Sequence, residues 1–262
     1  MSKHYITGVA GFVGSNLARR LCEYGHEVVG MDSLVCGFME NISDLFELPN
    51  FEFIKGDIRD VRYCGETYDY IWHFAARGEV YWCKENPRQA VDVNVNGTIK
   101  LLEFAKKVGC KHFFFADTSA EYDSLTDSEC FPTSESMAPN INTPMGFYPI
   151  TKMAASQFVR SYSKKSAFGS TLFRYTNIYG PSMNIKRDIP PVIGSFTNKM
   201  LFEHKPVVIY GDGSKRRDFL HISDLTDFHM SVLDNRGGEI DTKTYNAGSG
   251  KNWSIKEIHD LV

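Results

Sequence analysis

A tyrosine and a lysine four positions apart, Tyr148 and Lys152 in the segment YPITK, have the residue types and spacing of a catalytic base. A phenol has a pKa of about 10 and is a poor base in water. A lysine ammonium one helical turn away favours the phenolate and lowers that pKa. Such a tyrosine can take a proton from a hydroxyl group while a hydride leaves the same carbon. Thr118, which follows an apolar segment, could share a hydrogen bond with that oxygen.

Tyrosine and lysine at helical spacing more often lie on a surface without any function, so this motif needs support from elsewhere in the chain. A glycine-rich turn near the N-terminus provides it, with Gly8, Gly11 and Gly14 between an apolar run and an amphipathic segment. The GxxGxxG spacing differs in its first gap from the GxGxxG dinucleotide fingerprint. Such glycines let the backbone approach a pyrophosphate, which the helix N-terminus binds. A glycine turn without a ligand is the alternative.

An acidic residue, Asp32, ends the next apolar segment and follows Gly14 by 18 residues. The carboxylate that binds a ribose in dinucleotide sites lies about 20 residues beyond the glycines. It accepts hydrogen bonds from both ribose hydroxyls and would repel a 2′-phosphate. The spacing therefore predicts NAD rather than NADP as the cofactor, with an ordinary turn aspartate as the alternative.

The elements that would position these residues alternate between strands and helices. Strands are predicted to end at Thr7, to include Val28 and Val29, and to span about 51–54, 68–74, 111–116, 170–175, 206–210 and 245–248. Helices are predicted after Gly11, within 35–50, and over about 88–108, 148–165, 192–202, 223–235 and from 254 onward. Several strands are apolar without alternation, which is typical of a parallel sheet covered by helices on both faces. The sequence therefore predicts an α/β fold with a doubly wound parallel sheet.

The alternation weakens after Pro181, which suggests two parts of the chain. We expect a dinucleotide-binding domain over residues 1–180 and a smaller substrate-binding lobe over 181–262, some of whose elements can return to the sheet. Residues 123–147 are rich in Ser, Thr, Pro and Asn and are predicted to form a long loop, a feature that is often functional. The charged run 214–218 is expected to be a solvated loop unless it binds a ligand.

The composition argues against several classes of protein. The net charge of −3 provides no electrostatic case for nucleic-acid binding, and the apolar runs are too short for a membrane span. The N-terminal residues lack a signal-peptide pattern, and the six cysteines are scattered, so we expect a cytosolic protein with reduced thiols. The eight histidines form no HxxxH or HxH cluster, so a metal site is not expected. His73 is predicted to be a buried, hydrogen-bonded histidine.

Several ordered motifs give the chain a family resemblance: TGVAGFVGSN, Asp32, GDIRD, HFAA, NVNGT, YPITK, RYTNIYGP and GDGSKRRDFLHISDL. It resembles the extended short-chain dehydrogenase/reductases, in particular the NAD-dependent nucleotide-sugar epimerases and dehydratases. The resemblance implies a Rossmann-type fold, a UDP-sugar substrate and epimerisation of a UDP-hexose at C4 through a 4-keto intermediate. A 4,6-dehydratase or decarboxylase, and a catalytically silent NAD-binding regulator, are the alternatives. It also implies a homodimer packed through helices near 89–108 and 148–165.

The resemblance also implies roles for individual residues. For the cofactor these are Gly8, Gly11, Phe12, Val13 and Gly14 at the pyrophosphate, Asp32 and Ser33 at the ribose, Asp57 and Ile58 at the adenine, Phe74, Ala75, Ala76 and Asn94 along the channel, Lys152 at the nicotinamide ribose, and Tyr148 and Tyr175 within the same site. For catalysis they are Thr118, Tyr148 and Lys152. For the substrate they are Thr118 and Tyr148, with Asn177 and Arg217 at the diphosphate.

The chain departs from the family pattern just after Thr118. The 4,6-dehydratases place an Asp-Glu pair there, and the decarboxylases keep a Glu at the second position, but this chain has Ser119 and Ala120. Dehydration needs an acid for the leaving hydroxyl and a base at C5, so this departure favours an epimerase. Glu121 is one position further on, and on a strand it would point to the opposite face. Family members also usually continue beyond position 262, where the resemblance places further nucleotide contacts.

Overall fold

The structure is a computed structural model that describes residues 1–124, 132–137, 145–185, 189–209 and 211–262, with only the backbone at 123 and 124. The strands in these ranges are β1 (Lys3–Thr7), β2 (Glu27–Asp32), β3 (Phe51–Lys55), β4 (Tyr70–His73), β5 (His112–Thr118), β6 (Gly169–Tyr175), β7 (Asn177–Tyr179), β8 (Arg216–His221), β9 (Thr242–Ala247) and β10 (Asn252–Ser254). Seven of them form a parallel sheet in the order β3-β2-β1-β4-β5-β6-β9. This order confirms the predicted doubly wound, Rossmann-type sheet.

The α-helices are α1 (Phe12–Glu23), α2 (Val80–Glu85), α3 (Pro87–Val91), α4 (Gly97–Lys107), α5 (Phe147–Lys165), α6 (Val192–Thr197), α7 (Ile222–Arg236) and α8 (Ile255–Leu261). Short 3₁₀ segments lie at Met39–Glu47, Ile58–Asp60 and Ser119–Ser124, and π turns at Asp92–Asn96 and Asn198–Phe202. The helix predicted over 88–108 is thus realised as α3, a π turn and α4.

Helices cover both faces of the sheet because consecutive strand residues point to opposite sides. On β5, Phe113 packs in a buried cluster that contains Leu101 of α4 and Val159 of α5. The next residue, Phe114, packs in a second cluster with Leu17 of α1 and residues of α7. The near-continuous apolar run of β5 is therefore explained by burial on two sides.

A second, three-stranded sheet in the order β10-β8-β7 lies beside the large one and packs against α6 and α8 through Phe196, Phe219 and Ile258. The strand predicted over 206–210 is wrong for its described part, because residues 206–209 form no strand. Val207 and Ile209 contact the apolar cluster without a ladder partner. The strand lies instead in the charged run at β8, whose Phe219 is buried while Arg216 and Arg217 remain exposed.

The segment 181–262 contributes to both sheets. β9 pairs with β6 in parallel register, from Ser170 opposite Thr242 to Tyr175 opposite Ala247. β8 and β10 belong to the small sheet. Within the described ranges, every helix is too short or too polar to cross a membrane.

Candidate active site and cofactor groove

The glycine turn lies at the point where the strand order reverses, between β1 and β4. Gly8 has a φ of +74°, and its N–H donates to the Met31 carbonyl at 2.8 Å. A Cβ at Gly8 would lie 2.7 Å from the backbone nitrogen of Ala75, and one at Gly14 only 2.3 Å from the Gly8 oxygen. Both positions therefore require glycine, which lets the turn pack against the loop after β4 and lets α1 pack against the turn.

Helix α1 begins at this turn with Gly11 as its extended N-cap, and within the described residues no side chain caps it. The first backbone N–H groups of a helix have no partner inside the helix and bind anions well. Phe12 also faces a cavity, whereas Val13 packs against a cluster that includes Leu220. The helix start therefore fits a pyrophosphate.

A cavity of about 260 Å³ opens beside this turn. Its lining includes nine predicted cofactor residues: Gly8, Gly11, Asp32, Ser33, Asp57, Ile58, Phe74, Ala75 and Ala76. The Asp32 carboxylate accepts N–H groups from Ala10 at 3.0 Å and Leu34 at 2.8 Å. Burial raises the pKa of Asp32, and these hydrogen bonds oppose the rise. Each carboxylate oxygen has a further lone pair, so Asp32 can also accept a ribose hydroxyl.

The far end of the cavity carries a charged cluster. Arg59 donates to both oxygens of Asp57, at 2.9 and 2.7 Å, and to Asp92 at 2.6 Å. The Arg59 guanidinium lowers the pKa of Asp57. Ile58 between them is buried and makes the apolar part of this wall. The arrangement suits the flat, partly polar edge of an adenine.

A second cavity, of about 320 Å³, contains the predicted catalytic residues Thr118 and Tyr148. The Thr118 side chain is close enough to Tyr148 to lower the pKa of its hydroxyl. Tyr175 also lines this cavity, with its hydroxyl 2.9 Å from His229 Nε2. Gly11 lines the first cavity and Phe12 the second, so the start of α1 lies between them.

Lys152 lies one turn along α5 and is only 4% exposed. Its ammonium is 4.1 Å from the centre of the Phe115 ring. Burial lowers the pKa of Lys152 to about 8, and the carboxyl groups of Asp117 and Glu121 oppose this fall. A partly desolvated ammonium is thus held beneath the catalytic cavity.

The sequence predicts a lowered pKa for Tyr148, and the direction in the structure is the opposite. Burial raises the pKa of Tyr148, the Asp117 carboxylate raises it further, and the Thr118 side chain opposes them. Part of the difference comes from Asp117 and Glu121, two buried acids that the YxxxK spacing does not reveal.

Asn94 lies behind the wall of the first cavity rather than in its lining. It is 2% exposed and belongs to the π turn. Its amide donates to the Thr151 hydroxyl at 2.9 Å and to the Arg77 carbonyl at 3.1 Å, and its oxygen accepts the Arg77 N–H at 2.7 Å. It connects the loop after β4 to the catalytic helix.

The predicted diphosphate ligands lie on the small sheet, outside both cavities. Asn177 donates its amide to the Asp218 carbonyl at 3.0 Å, and Arg217 donates to the Arg216 carbonyl at 2.9 Å. Both side chains are exposed at one end of paired strands β7 and β8. The structure therefore places them near each other, and neither lines the cavity that contains Tyr148.

Sequence reasoning missed two features of the site. Glu121 is buried in the 3₁₀ segment and forms an ion pair with Arg174 at 3.1 Å, so the strand geometry considered for it does not apply. Arg77 lines the first cavity with its guanidinium 3.7 Å above the Trp82 ring. The available signal was a charged residue near the C-terminal end of an apolar strand: Asp117 is the last residue but one of β5, and Arg77 follows the end of β4 by four positions. His73 is buried as predicted, between the hydroxyls of Thr7 and Thr98.

The described part of the chain contains no group of three or more His, Cys, Asp or Glu residues arranged to bind a metal ion. Its five described cysteines, Cys22, Cys36, Cys64, Cys83 and Cys110, are free thiols. The site is thus built from a dinucleotide groove and a hydroxyl–phenol–ammonium set.

The fold and this site define a nucleotide-dependent enzyme of the extended short-chain dehydrogenase/reductase class. The chain belongs to the NAD dependent epimerase/dehydratase family, whose sequence model matches residues 4–248. NAD is therefore the cofactor of the family, and the glycine turn, the free start of α1 and the Asp32 carboxylate fit it.

Named relatives agree with this assignment. The chain is 30% identical over 261 residues to a putative UDP-glucose 4-epimerase of Methanocaldococcus jannaschii, covering 98% of this chain and 80% of the relative. It is 32% identical over 277 residues to a UDP-glucuronate 4-epimerase of Thermodesulfobacterium geofontis, covering 100% and 80%. The crystal structure of UDP-glucuronic acid 4-epimerase from Bacillus cereus, in complex with UDP-glucuronic acid and NAD, superposes with a TM-score of 0.84 at 27% identity, covering 97% and 80%.

Proposed function

We propose that this chain is an NAD-dependent nucleotide-sugar epimerase that inverts C4 of a UDP-hexose. The observation that carries the proposal is that Thr118 and Tyr148 line one cavity together with Phe12 at the start of α1, and that Lys152 is buried one turn along α5 from Tyr148. The 4-epimerase relatives support the choice of reaction, and their UDP-sugar names support the choice of substrate.

Most of the cofactor-binding residues are proposed from their positions in the groove, and Lys152, which is in the lining of neither cavity, from the family resemblance. The start of α1 would bind the pyrophosphate, Asp32 and Ser33 the adenosine ribose, and Asp57 with Ile58 the adenine. Lys152 would bind the nicotinamide ribose. Bound NAD would accept a hydride from C4 and return it, and its positive ring would favour the Tyr148 phenolate.

The chain's own catalytic work is proton transfer. Tyr148 takes the proton from the C4 hydroxyl, and Thr118 holds the same oxygen by a hydrogen bond. Lys152 stabilises the phenolate because its ammonium lies in a buried, low-dielectric site. After the 4-keto sugar has turned in the pocket, Tyr148 returns the proton to the oxygen on the other face.

The substrate lobe is proposed to be segment 181–262 together with β7. Asn177 and Arg217 would contact the diphosphate from there. The Arg217 guanidinium makes one hydrogen bond, to a backbone carbonyl, among those seen in the described residues. Its remaining N–H groups suit phosphate oxygens.

We propose a homodimer packed through α3–α4 and α5. Val91 on α3 is 45% exposed, and Ile150 and Phe158 on α5 are 41% and 39% exposed. Such apolar exposure on neighbouring helices is typical of an interface. Light scattering on the purified protein tests this.

The free thiols of the described cysteines also support a reducing compartment, and we propose the cytosol.

The test of function is incubation with UDP-glucose, UDP-N-acetylglucosamine or UDP-glucuronic acid, followed by separation of the C4 epimers. We expect one substrate to reach an equilibrium of epimers without net reduction of NAD. Tyr148→Phe should lose at least 100-fold in turnover while retaining NAD, since general base catalysis contributes about 10²–10⁴-fold. Tyr162→Phe, further along the same helix, is the matched control.

Other outcomes would replace the proposal. A stable 4-keto product would indicate a dehydratase, and released carbon dioxide a decarboxylase. NAD binding without hydride exchange on any UDP-sugar would indicate a silent regulator. Unchanged turnover in Tyr148→Phe would remove Tyr148 from its proposed role.

A further inference from the structure

Two acidic side chains are buried together at the second cavity, and Asp117 is part of its lining. The side chains of Asp117 and Glu121 are 0% and 1% exposed. Both carboxyl groups face the Arg174 guanidinium, at 3.9 Å for Asp117 and 3.1 Å for Glu121. Both oxygens of Asp117 and Oε1 of Glu121 are without a donor among the described residues. Two ionised carboxylates buried beside one guanidinium, with three oxygens lacking a donor, would repel each other strongly, so this arrangement favours one proton on the pair.

Charged and titratable groups from three elements surround this pair. From α5 they are Tyr148, Lys152 and Arg160; from β6, Arg174 and Tyr175; and from the 3₁₀ segment, Tyr122. Arg174 is the nearest cation, 3.1 Å from Glu121 and 3.9 Å from Asp117. Arg174 also donates to the Tyr122 hydroxyl, which in turn donates to the Asn246 side-chain oxygen.

We propose that Asp117 and Glu121 share a single proton, and that this proton sets the charge around Tyr148 and Lys152, which makes the two acids positioning residues for proton transfer. The inference rests on the proposed function only for its activity measurement. It concerns residues that occupy neither the family's dehydratase positions nor its Thr-Tyr-Lys set.

The physical reason is the charge balance in a low-dielectric site. With one proton, the pair carries one negative charge, held mainly on Glu121 beside Arg174. The positive charge of Lys152 is then free to stabilise a phenolate at Tyr148. Without the proton, Asp117 also becomes negative. Its carboxylate then attracts the Lys152 ammonium and repels a phenolate at Tyr148.

Two isosteric substitutions test this, because they move the charge to opposite ends of the pair. Asp117→Asn imitates the protonated acid and can donate to Glu121, so the tyrosinate titration of Tyr148 should stay near that of the wild type. Glu121→Gln leaves Asp117 ionised next to Tyr148, so the same titration should move to higher pH. Turnover at neutral pH should then fall about tenfold, the equivalent of one pKa unit.

The titration is measured by tyrosinate absorbance as the difference from Tyr148→Phe, so it needs no turnover. Infrared spectra provide a second measurement on the wild-type protein. We expect a protonated carboxylic-acid band at neutral pH that is absent in Asp117→Asn. This band keeps the proposal testable if Glu121→Gln does not fold.

The proposal is overturned if the wild type lacks that band. It is also overturned if either substitution lowers the pH of the Tyr148 titration, because two ionised acids would both oppose the phenolate. Loss of epimerase activity on every sugar, with the expected titrations intact, would count against the proposed function and leave the shared proton in place.

Discussion

Asn94 donates its side-chain amide to the Thr151 hydroxyl at 2.9 Å, and this bond joins the π turn of residues 92–96 to the helix that carries Tyr148 and Lys152. The same amide group also holds the backbone of Arg77 in the wall of the cofactor cavity. One buried side chain therefore connects the cofactor groove with the proton-transfer site. π turns inside helices are frequent at functional sites, since they aim a residue that a regular helix would turn away.

Asn94→Ala should reduce both stability and turnover. It leaves the Arg77 backbone N–H and carbonyl without their partner, while the Thr151 hydroxyl keeps its bond to the Tyr148 carbonyl. Each unsatisfied buried group costs about 1–3 kcal/mol. We expect a loss of about 3 kcal/mol in the free energy of unfolding, measured in urea, and a larger fall in kcat than in NAD affinity. Asn96→Ala is the control, because Asn96 is exposed on the same turn. Equal effects of the two substitutions would contradict the connecting role.

Gly8→Ala should abolish NAD binding and destabilise the fold. The new methyl group would meet the Ala75 nitrogen at 2.7 Å, and the φ of +74° disfavours any side chain. Gly25→Ala separates these two effects, because Gly25 has a φ of +80° with open space around it. In the control, the free energy of unfolding should fall by only about 1 kcal/mol, the cost of the unfavourable backbone conformation, and the NAD affinity should not change. Calorimetric titration with NAD decides the matter, and similar losses in both variants would refute the packing argument.

Lys152→Met should stabilise the protein while removing its activity. The pKa of Lys152 is about 8 in the folded chain, against a usual value of 10.5. Folding therefore opposes its protonation: the penalty is complete below pH 8 and disappears as the pH rises to about 10.5. At pH 7 the substitution should raise the free energy of unfolding by about 1–3 kcal/mol. The wild type should gain stability between these two pH values, and the variant should not.

Urea unfolding at pH 7, 8 and 9.5 measures both quantities, with Lys164→Met as the control at an exposed position of the same helix. The control should change stability by less than about 0.5 kcal/mol. If Lys152→Met were less stable than the wild type, the attraction between the ammonium and the acid pair would have to exceed the cost of burying the ammonium.

Acid should destabilise the protein through its buried histidines. Burial lowers the pKa of His229 to about 3, and those of His4 and His112 to about 3 and 4. Unfolded histidines bind protons below about pH 6.5, so stability is complete above that pH and is lost as the pH falls below it. His229→Gln should make the fall less steep by up to about 1.4 kcal/mol per pH unit. Denaturation between pH 7 and 4.5 tests this, and exposed His204→Gln should keep the wild-type slope.

Local sequence patterns predicted the parts of the site that depend on near neighbours in the chain. Glycine is required at positions 8 and 14 by contacts with residues nearby in the chain or at the end of the adjoining strand. Asp32 could be predicted because the length of one strand–helix–strand unit sets its distance from the glycines. The Tyr148–Lys152 spacing predicts its own helical geometry. The small sheet was harder to predict, since its strand β8 is recognised by its partners β7 and β10 rather than by its charged sequence.

The sequence by itself determined the fold class and the family and led to the proposed proton-transfer set, because periodicity, glycine spacing and motif order are local properties. Only the tertiary structure decided the electrostatics of that set. Residues far apart in sequence meet there: Glu121 with Arg174, and Asn94 with Thr151. Burial then moves the pKa of Tyr148 in the direction opposite to the one that spacing alone suggests, because desolvation depends on everything packed around a group and not on its neighbours in the chain.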